Sequence, residues 1–250
     1  MLQAQVVQVS PSIWCVRQPS YFSCSYGIRT DEGLVCVDAG MNSDGLDVLL
    51  LLKEMQASPQ ELKAILLTHW HNDHAAGAQA IRTSAGCGVY FHQAEAPWLS
   101  RQTAHQDWRQ HLAKHIPEWG IGILLIGLIG NAVPNAVKAS EYLREGQNLF
   151  GFEVIETPGH TPGHLSFYYP PEKALFAGDA LAVIDDQLRY MARWVTPDKA
   201  QARQSMKKCL EKEIQLLCPG HRKPLTQGVV QACGQMKLKL DAELDWPFWG

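Results

Sequence analysis

The stretch LLTHWHNDHAAG, residues 66–77, places His69, His71, Asp73 and His74 within six consecutive positions, directly after a short apolar run. Imidazole nitrogens and carboxylate oxygens are ligands for zinc, iron and manganese. In an extended segment the His69-x-His71 alternation points both imidazoles the same way, and Asp73 and His74 then face elsewhere. One such loop can serve two neighbouring cations. It completes neither, because a zinc ion takes about four ligands. The remainder has to come from distant parts of the chain.

Three later segments supply candidates. ETPGHTPGH, 156–164, offers His160 and His164 in a Pro/Gly-rich loop between two strand-like runs. LFAGDALA, 175–182, offers Asp179 just past a buried strand, with Gly178 for a tight turn. LLCPGHRKP, 216–224, offers His221 in the same context. Each follows an apolar strand, where loops gather along one edge of a sheet. A lone histidine in a Pro-Gly turn is ordinarily a surface residue. Four metal-capable groups in six positions, followed by three more strand-end segments, are not explained that way. His111 and His115 have i,i+4 spacing on a predicted helix, but without a carboxylate partner set they read as a solvated face.

The 250 residues are enough for a well-buried core. Hydrophobic residues at 46% and charged residues at 19% fit a globular protein. A net charge of -3 gives no electrostatic reason to expect nucleic acid. The seven cysteines are scattered without Cys-x-x-Cys spacing, so they read as buried thiols in a reducing compartment. No signal peptide and no membrane-spanning run are visible, which makes a cytoplasmic protein the expectation.

Strands are expected at Val6–Val9, Ile13–Val16, Ser25–Arg29, Leu34–Val37, Ala64–Leu67, Val89–Phe91, Gly151–Glu156, Leu165–Tyr169, Ala174–Phe176 and Ile214–Leu217. Asp31-Glu32-Gly33 reads as a hairpin turn. Helices are expected at Asn42–Met55 (capped by Asn42 or Ser43), Ala75–Ser84, Ala94–Ser100, Thr103–His115, Pro197–Glu211 and Gly228–Ala242. Two half-domains, each a sheet with helices on its outer side, accommodate this order. A helical and apolar insert, about 93–135, interrupts them.

The motif order Thr-His-x-His-x-Asp-His, Pro-Gly-His-Thr-x-Gly-His, Gly-Asp and Pro-Gly-His resembles the metallo-β-lactamase superfamily, from the VDAG segment at Val37–Gly40 to His221. The resemblance implies an α/β fold, a four-layer αββα sandwich, over residues 1–250. It implies that His69, His71 and His160 hold one metal, that Asp73, His74 and His221 hold a second, and that Asp179 bridges them. Two zinc ions per chain are the implied cofactor, with iron or manganese compatible with the same ligands. His164 matches a recurrent non-ligand position, and Asp38 a buried aspartate that supports the ligand loop. The implied reaction is hydrolysis by a metal-bridging hydroxide, with Asp73 orienting the nucleophile and passing on a proton.

An ester, thioester or lactone is the expected small-molecule substrate. A β-lactam is disfavoured, because the family's true lactamases lack the bridging aspartate present here as Asp179. A quorum-signal lactonase would place a tyrosine a few residues after that aspartate; the first one here is Tyr190. A glyoxalase II-like thioesterase would carry a helical domain after the last ligand, whereas 29 residues follow His221. The insert, with its apolar Ile121–Ile129 piece near Trp98, Trp108 and Trp119, suits a lid over an acyl group, a face packed on the sandwich, or a homodimer contact. Arg189, Arg193, Arg222 and Lys223 are candidates for a substrate phosphate or carboxylate. An iron-dependent sulfur dioxygenase, a phosphodiesterase or nuclease, and a metal-stabilised binding fold are the competing readings.

Overall fold

The computed structural model describes residues 4–19, 21–100, 135–242 and 245–247. The expected helix at Thr103–His115, its histidines His105, His111 and His115, Trp108 and Trp119, and the apolar piece after them lie outside the described residues.

Seven strands form the first sheet, in the order β1 (Gln5–Gln8), β2 (Ile13–Arg17), β3 (Cys24–Thr30), β4 (Gly33–Val37), β5 (Leu62–Leu66), β6 (Gly88–His92) and β7 (Glu141–Leu143). The first four strands pair antiparallel, with Thr30 opposite Gly33 across the expected hairpin. β4 to β7 pair parallel. The second sheet contains β8 (Asn148–Leu149), β9 (Phe152–Glu156), β10 (Leu165–Tyr169), β11 (Ala174–Gly178) and β14 (Leu216–Pro219), in the order β14-β11-β10-β9-β8. A separate hairpin, β12 (Ala182–Ile184) and β13 (Gln187–Arg189), follows β11.

Period-2 alternation assigns each strand face to a different layer. On β4, Val35 and Val37 enter a core shared with Phe152, Phe167 and Phe176 of the second sheet. Leu34 and Cys36 point the other way, onto Val48, Leu51 and Leu52 of α1 (Leu46–Glu54) and Ile81 of α3 (Ala78–Ala85). On β11, Leu175 and Ala177 face Met206, Cys209 and Leu210 of α5 (Lys199–Leu210) and Met236 and Leu240 of α6 (Val229–Asp241). Three apolar cores separate four layers, and the arrangement is the expected αββα sandwich. Edge-on rings fill its centre, with Tyr26 and Phe176 at 5.2 Å and Phe152 and Phe176 at 5.6 Å. All seven cysteines are free and buried, as their scatter predicts.

Several helix boundaries differ from expectation. Residues 42–45 are not helical, and α1 starts after Gly45 in the left-handed conformation. Asn42 bonds instead to Asp47, through its backbone N–H at 3.1 Å and its amide at 2.9 Å. A side-chain partner inside the first turn competes with the capping geometry. The expected Ala75–Ser84 helix is two pieces, α2 (Asn72–Ala75) and α3. Between them Gly77 lies so close to the preceding loop that a Cβ would sit 2.5 Å from the Ala39 carbonyl oxygen. Residues 93–99 form a 3₁₀ turn (Gln93–Glu95) running into α4 (Ala96–Leu99). Pro197 precedes α5 rather than opening it, because Asp198 is the cap and accepts the Gln201 N–H at 2.9 Å.

Candidate metal centre

The candidate ligands converge at one edge of the paired sheets. β5 delivers His69 and His71, β11 delivers Asp179 and β14 delivers His221. The β9–β10 connection carries His160 and His164. The ligand segment is not extended throughout: His71 precedes the single helical turn of α2. That turn swings Asp73 and His74 back towards the same centre as His69, so the expectation that they face elsewhere is corrected. The His69 ring lies 4.6 Å from that of His71 and 4.3 Å from that of His74.

Three sets of donor atoms each fall within 4.8 Å: His69, His71 and His160; His69, His74 and Asp179; and Asp73, His74 and His221. Nδ1 of His71 and Nε2 of His160 are 3.0 Å apart, and the two Nε2 atoms of His74 and His221 are 3.4 Å apart. Asp179 lies between the sets. Its Oδ1 is 3.6 Å from His74 Nε2, and its Oδ2 is 3.3 Å from His160 Nε2 and 3.2 Å from His221 Nε2. Asp73 Oδ2 is 3.6 Å from the Nε2 atoms of both His74 and His221.

In four of the five candidate ligand histidines the outer imidazole nitrogen is tied down, which fixes the tautomer. His74 Nδ1 donates to Asp38 at 2.8 Å, His160 Nδ1 to the Val195 carbonyl at 2.6 Å, and His221 Nδ1 to the Tyr21 carbonyl at 2.8 Å. Thr68 Oγ1 donates to Asp38 and so accepts from His69 Nδ1 at 2.9 Å. Four histidines therefore turn Nε2 inward, while His71 offers Nδ1. Asp38 is 2% exposed and left-handed at φ 61°; it also accepts the Thr68 backbone N–H at 2.8 Å. Asp38 thus ties the His74 ring to the Thr68 backbone and hydroxyl. His164 is not in any donor set. It takes the Asp179 backbone N–H on Nε2 at 2.9 Å, and burial holds its pKa down to about 3, so it stays a neutral acceptor.

Electrostatics divide the cluster. Burial, reinforced by neighbouring imidazoles, holds His69 and His71 well below the usual histidine range, and burial lowers His160 too. These three are neutral, the form that ligates. His74 is pushed up to about 9 and His221 to about 10: carboxylates, chiefly Asp73 and Asp179, outweigh the cost of burial. Burial raises Asp179, but His221, His74 and His160 overcome it and hold the carboxyl well below its ordinary range. His69 Nε2 and Asp179 Oδ1 are buried and have no hydrogen-bond partner. An orphaned imidazole lone pair beside an orphaned carboxylate oxygen is costly in a core. A divalent cation satisfies both at once, so these residues fit one.

The cationic candidates do not converge in the same way. Lys223 pairs with Asp186 at 2.8 Å, both exposed. Arg222 lies over the Phe22 ring at 5.8 Å, and Arg189 donates to Gln187 at 2.8 Å. Arg193 opens the 3₁₀ turn whose Val195 carbonyl orients His160. Sequence reasoning missed that carbonyl and the Tyr21 carbonyl, since backbone acceptors carry no residue signature. It also missed Glu95, a buried carboxylate next to both ligand loops.

Residues 21–221 match the Metallo-beta-lactamase superfamily. The chain is 28% identical over 213 residues to the probable metallo-hydrolase YflN of Bacillus subtilis strain 168, covering 78% of this chain and 77% of that one. It is 30% identical over 161 residues to the hydroxyacylglutathione hydrolase of Bdellovibrio bacteriovorus, covering 62% of this chain and 47% of that enzyme, less than half its length. Among solved structures it is similar to TTHA1623 in a di-iron-bound form, with a TM-score of 0.62 and 26% identity, covering 91% of this chain and 96% of that one. No helix among the described residues is long and apolar enough to cross a membrane. Motif order, layer architecture and these likenesses agree: the chain belongs to the metallo-beta-lactamase superfamily.

Proposed function

We propose that this protein is a dinuclear metallohydrolase acting on an ester, thioester or lactone. His69, His71 and His160 would hold one cation, Asp73, His74 and His221 the other, with Asp179 shared. The single observation that carries the reading is the convergence of seven donor side chains on a centre where His69 Nε2 and Asp179 Oδ1 are buried without partners. When bound, a pair of divalent cations supplies Lewis acidity and brings the pKa of water down to about 7.

The chain's own groups do the rest. Asp38, Thr68, Val195 and Tyr21 hold the Nδ1 side of His74, His69, His160 and His221, so Nε2 is the atom each turns to the centre; on His74 and His221 it would bind a cation by giving up its proton. Asp73 is 8% exposed, the least enclosed of the candidate carboxylates, and Asp179 is 4% exposed. That exposure supports Asp73 as the group that would orient an incoming nucleophile and accept its proton. With every cysteine buried, an attacking thiolate has no exposed source.

Similarity to hydroxyacylglutathione hydrolases supports a thioester. Similarity to the di-iron form of TTHA1623 supports iron as an alternative to zinc, and one iron per chain would favour sulfur oxidation over hydrolysis. The test is a panel of thioesters, lactones, esters and phosphodiesters, assayed with chelator-stripped and metal-reloaded protein. Metal-dependent turnover of a carboxylic substrate is the expected result. Turnover of phosphodiesters alone, or none with any metal, contradicts the reading.

A further inference from the structure

Glu95 closes the 3₁₀ turn after β6 and is 0% exposed. Its Oε2 accepts the Trp70 backbone N–H at 2.9 Å, and its Oε1 accepts the Gly163 N–H at 2.7 Å. Trp70 is the residue between His69 and His71. Gly163 lies three residues beyond His160, in the same loop. One carboxylate therefore grips both loops that bring His69, His71 and His160 together.

The neighbourhood enforces the grip. A Cβ on Gly163 would sit 2.8 Å from Glu95 Oε1 and 2.7 Å from His92 Nδ1, so glycine is what lets the loop press so close. Trp98, on α4, stacks on the Trp70 ring with centroids 4.8 Å apart and planes at 18°. The segment 93–99 thus holds residue 70 by both its backbone and its side chain. The position is costly for an acid: burial pushes the Glu95 carboxyl up to about 7 even though both backbone N–H groups pull it down. A neutral residue filling the same space would avoid that cost.

We infer that Glu95 is a positioning residue: by tying the loop of His69 and His71 to the loop of His160, it sets the spacing of the three imidazole nitrogens that receive one cation. The inference rests on the metal reading proposed above. Glu95→Gln isolates it, because the amide keeps the volume and one acceptor oxygen but turns an N–H₂ towards one of the two backbone donors. One tie is lost and the other kept.

The experiment compares wild type and Glu95→Gln in zinc retention against chelators of graded strength, and in the visible spectrum of the cobalt-loaded proteins. Melting of the metal-free proteins monitors the fold. The expected result is a melting temperature within about 5 °C of wild type, a loss of about ten- to a hundred-fold in affinity for one of the two cations, and a shifted cobalt spectrum. Wild-type zinc affinities and an unchanged cobalt spectrum in Glu95→Gln overturn the inference alone. A wild-type chain that takes up no cation refutes the metal reading, and the inference with it. Should the variant not fold, amide hydrogen exchange in the wild type answers the question. Trp70 and Gly163 are expected to slow together on zinc loading, and independent responses overturn the coupling.

Discussion

Asparagine at position 38 separates the chemistry of the Asp38 carboxylate from its backbone strain. The residue is left-handed at φ 61°, a conformation asparagine tolerates as aspartate does. Asp38→Asn keeps one oxygen for the Thr68 N–H and hydroxyl, which Asp38 Oδ1 accepts at 2.8 and 3.0 Å. It replaces Oδ2, the acceptor of His74 Nδ1 at 2.8 Å, with an amide donor. His74 then has to accept on Nδ1 and carry its proton on Nε2, which faces Asp73, Asp179 and His221. Losing a hydrogen bond to a charged acceptor costs about 1.5–3 kcal/mol. For a group that orients a ligand, that corresponds to about ten- to a hundred-fold in metal affinity. The loss should fall on the cation shared by Asp73, His74 and His221, with the His69, His71 and His160 set nearly unchanged. Competition titration of the two zinc equivalents against a chromophoric chelator resolves them. Two wild-type affinities in Asp38→Asn, or equal loss from both sets, would refute the tautomer reasoning.

Three further perturbations test other links. In Gly220→Ala the new Cβ would lie 2.3 Å from Asp179 Oδ1 and 2.8 Å from His74 Cε1; the protein should fold but hold at most one cation, as read by elemental analysis. Phe176→Ala empties the centre of the sandwich, where Phe176 is 0% exposed, and should cost about 3–5 kcal/mol in urea unfolding. Asp47, 0% exposed, is pushed by burial from 3.8 up to about 6 despite its bonds from Asn42. A raised acid stabilises the fold fully below its unfolded pKa, and the contribution is lost as pH rises through the folded one. This group should therefore remove about 3 kcal/mol of stability between pH about 4 and 6. That fall should be absent in Asp47→Asn when denaturant midpoints are compared across the range.

What was legible in the sequence was chemistry tied to a regular element. THWHNDH, PGHTPGH, the Gly-Asp at 178–179 and the Pro-Gly-His at 219–221 follow β5, β9, β11 and β14, and strand endings could be read from apolar runs. Features set by non-local contacts were not legible. The start of α1 depends on Asn42 turning to Asp47. The break between α2 and α3 depends on Gly77 pressing against Ala39. The β12–β13 hairpin was overlooked although a signal existed: Asp185-Asp186 directly follows the apolar run Ala182–Ile184, and both residues are left-handed at φ 52° and 56°, as a tight hairpin turn requires. Glu95 carried no such signal, since its partners are two backbone N–H groups from segments 25 and 68 residues away.

In the proposed centre, seven side chains from four strand ends would hold two cations through one shared carboxylate. The decisive measurement is metal per chain in wild type and in Asp179→Ala, each purified without added metal and then reloaded. About two divalent ions are expected in wild type and one or none in the variant, with the variant still folded. Wild-type metal content in Asp179→Ala, or none in the reloaded wild type, would contradict this arrangement.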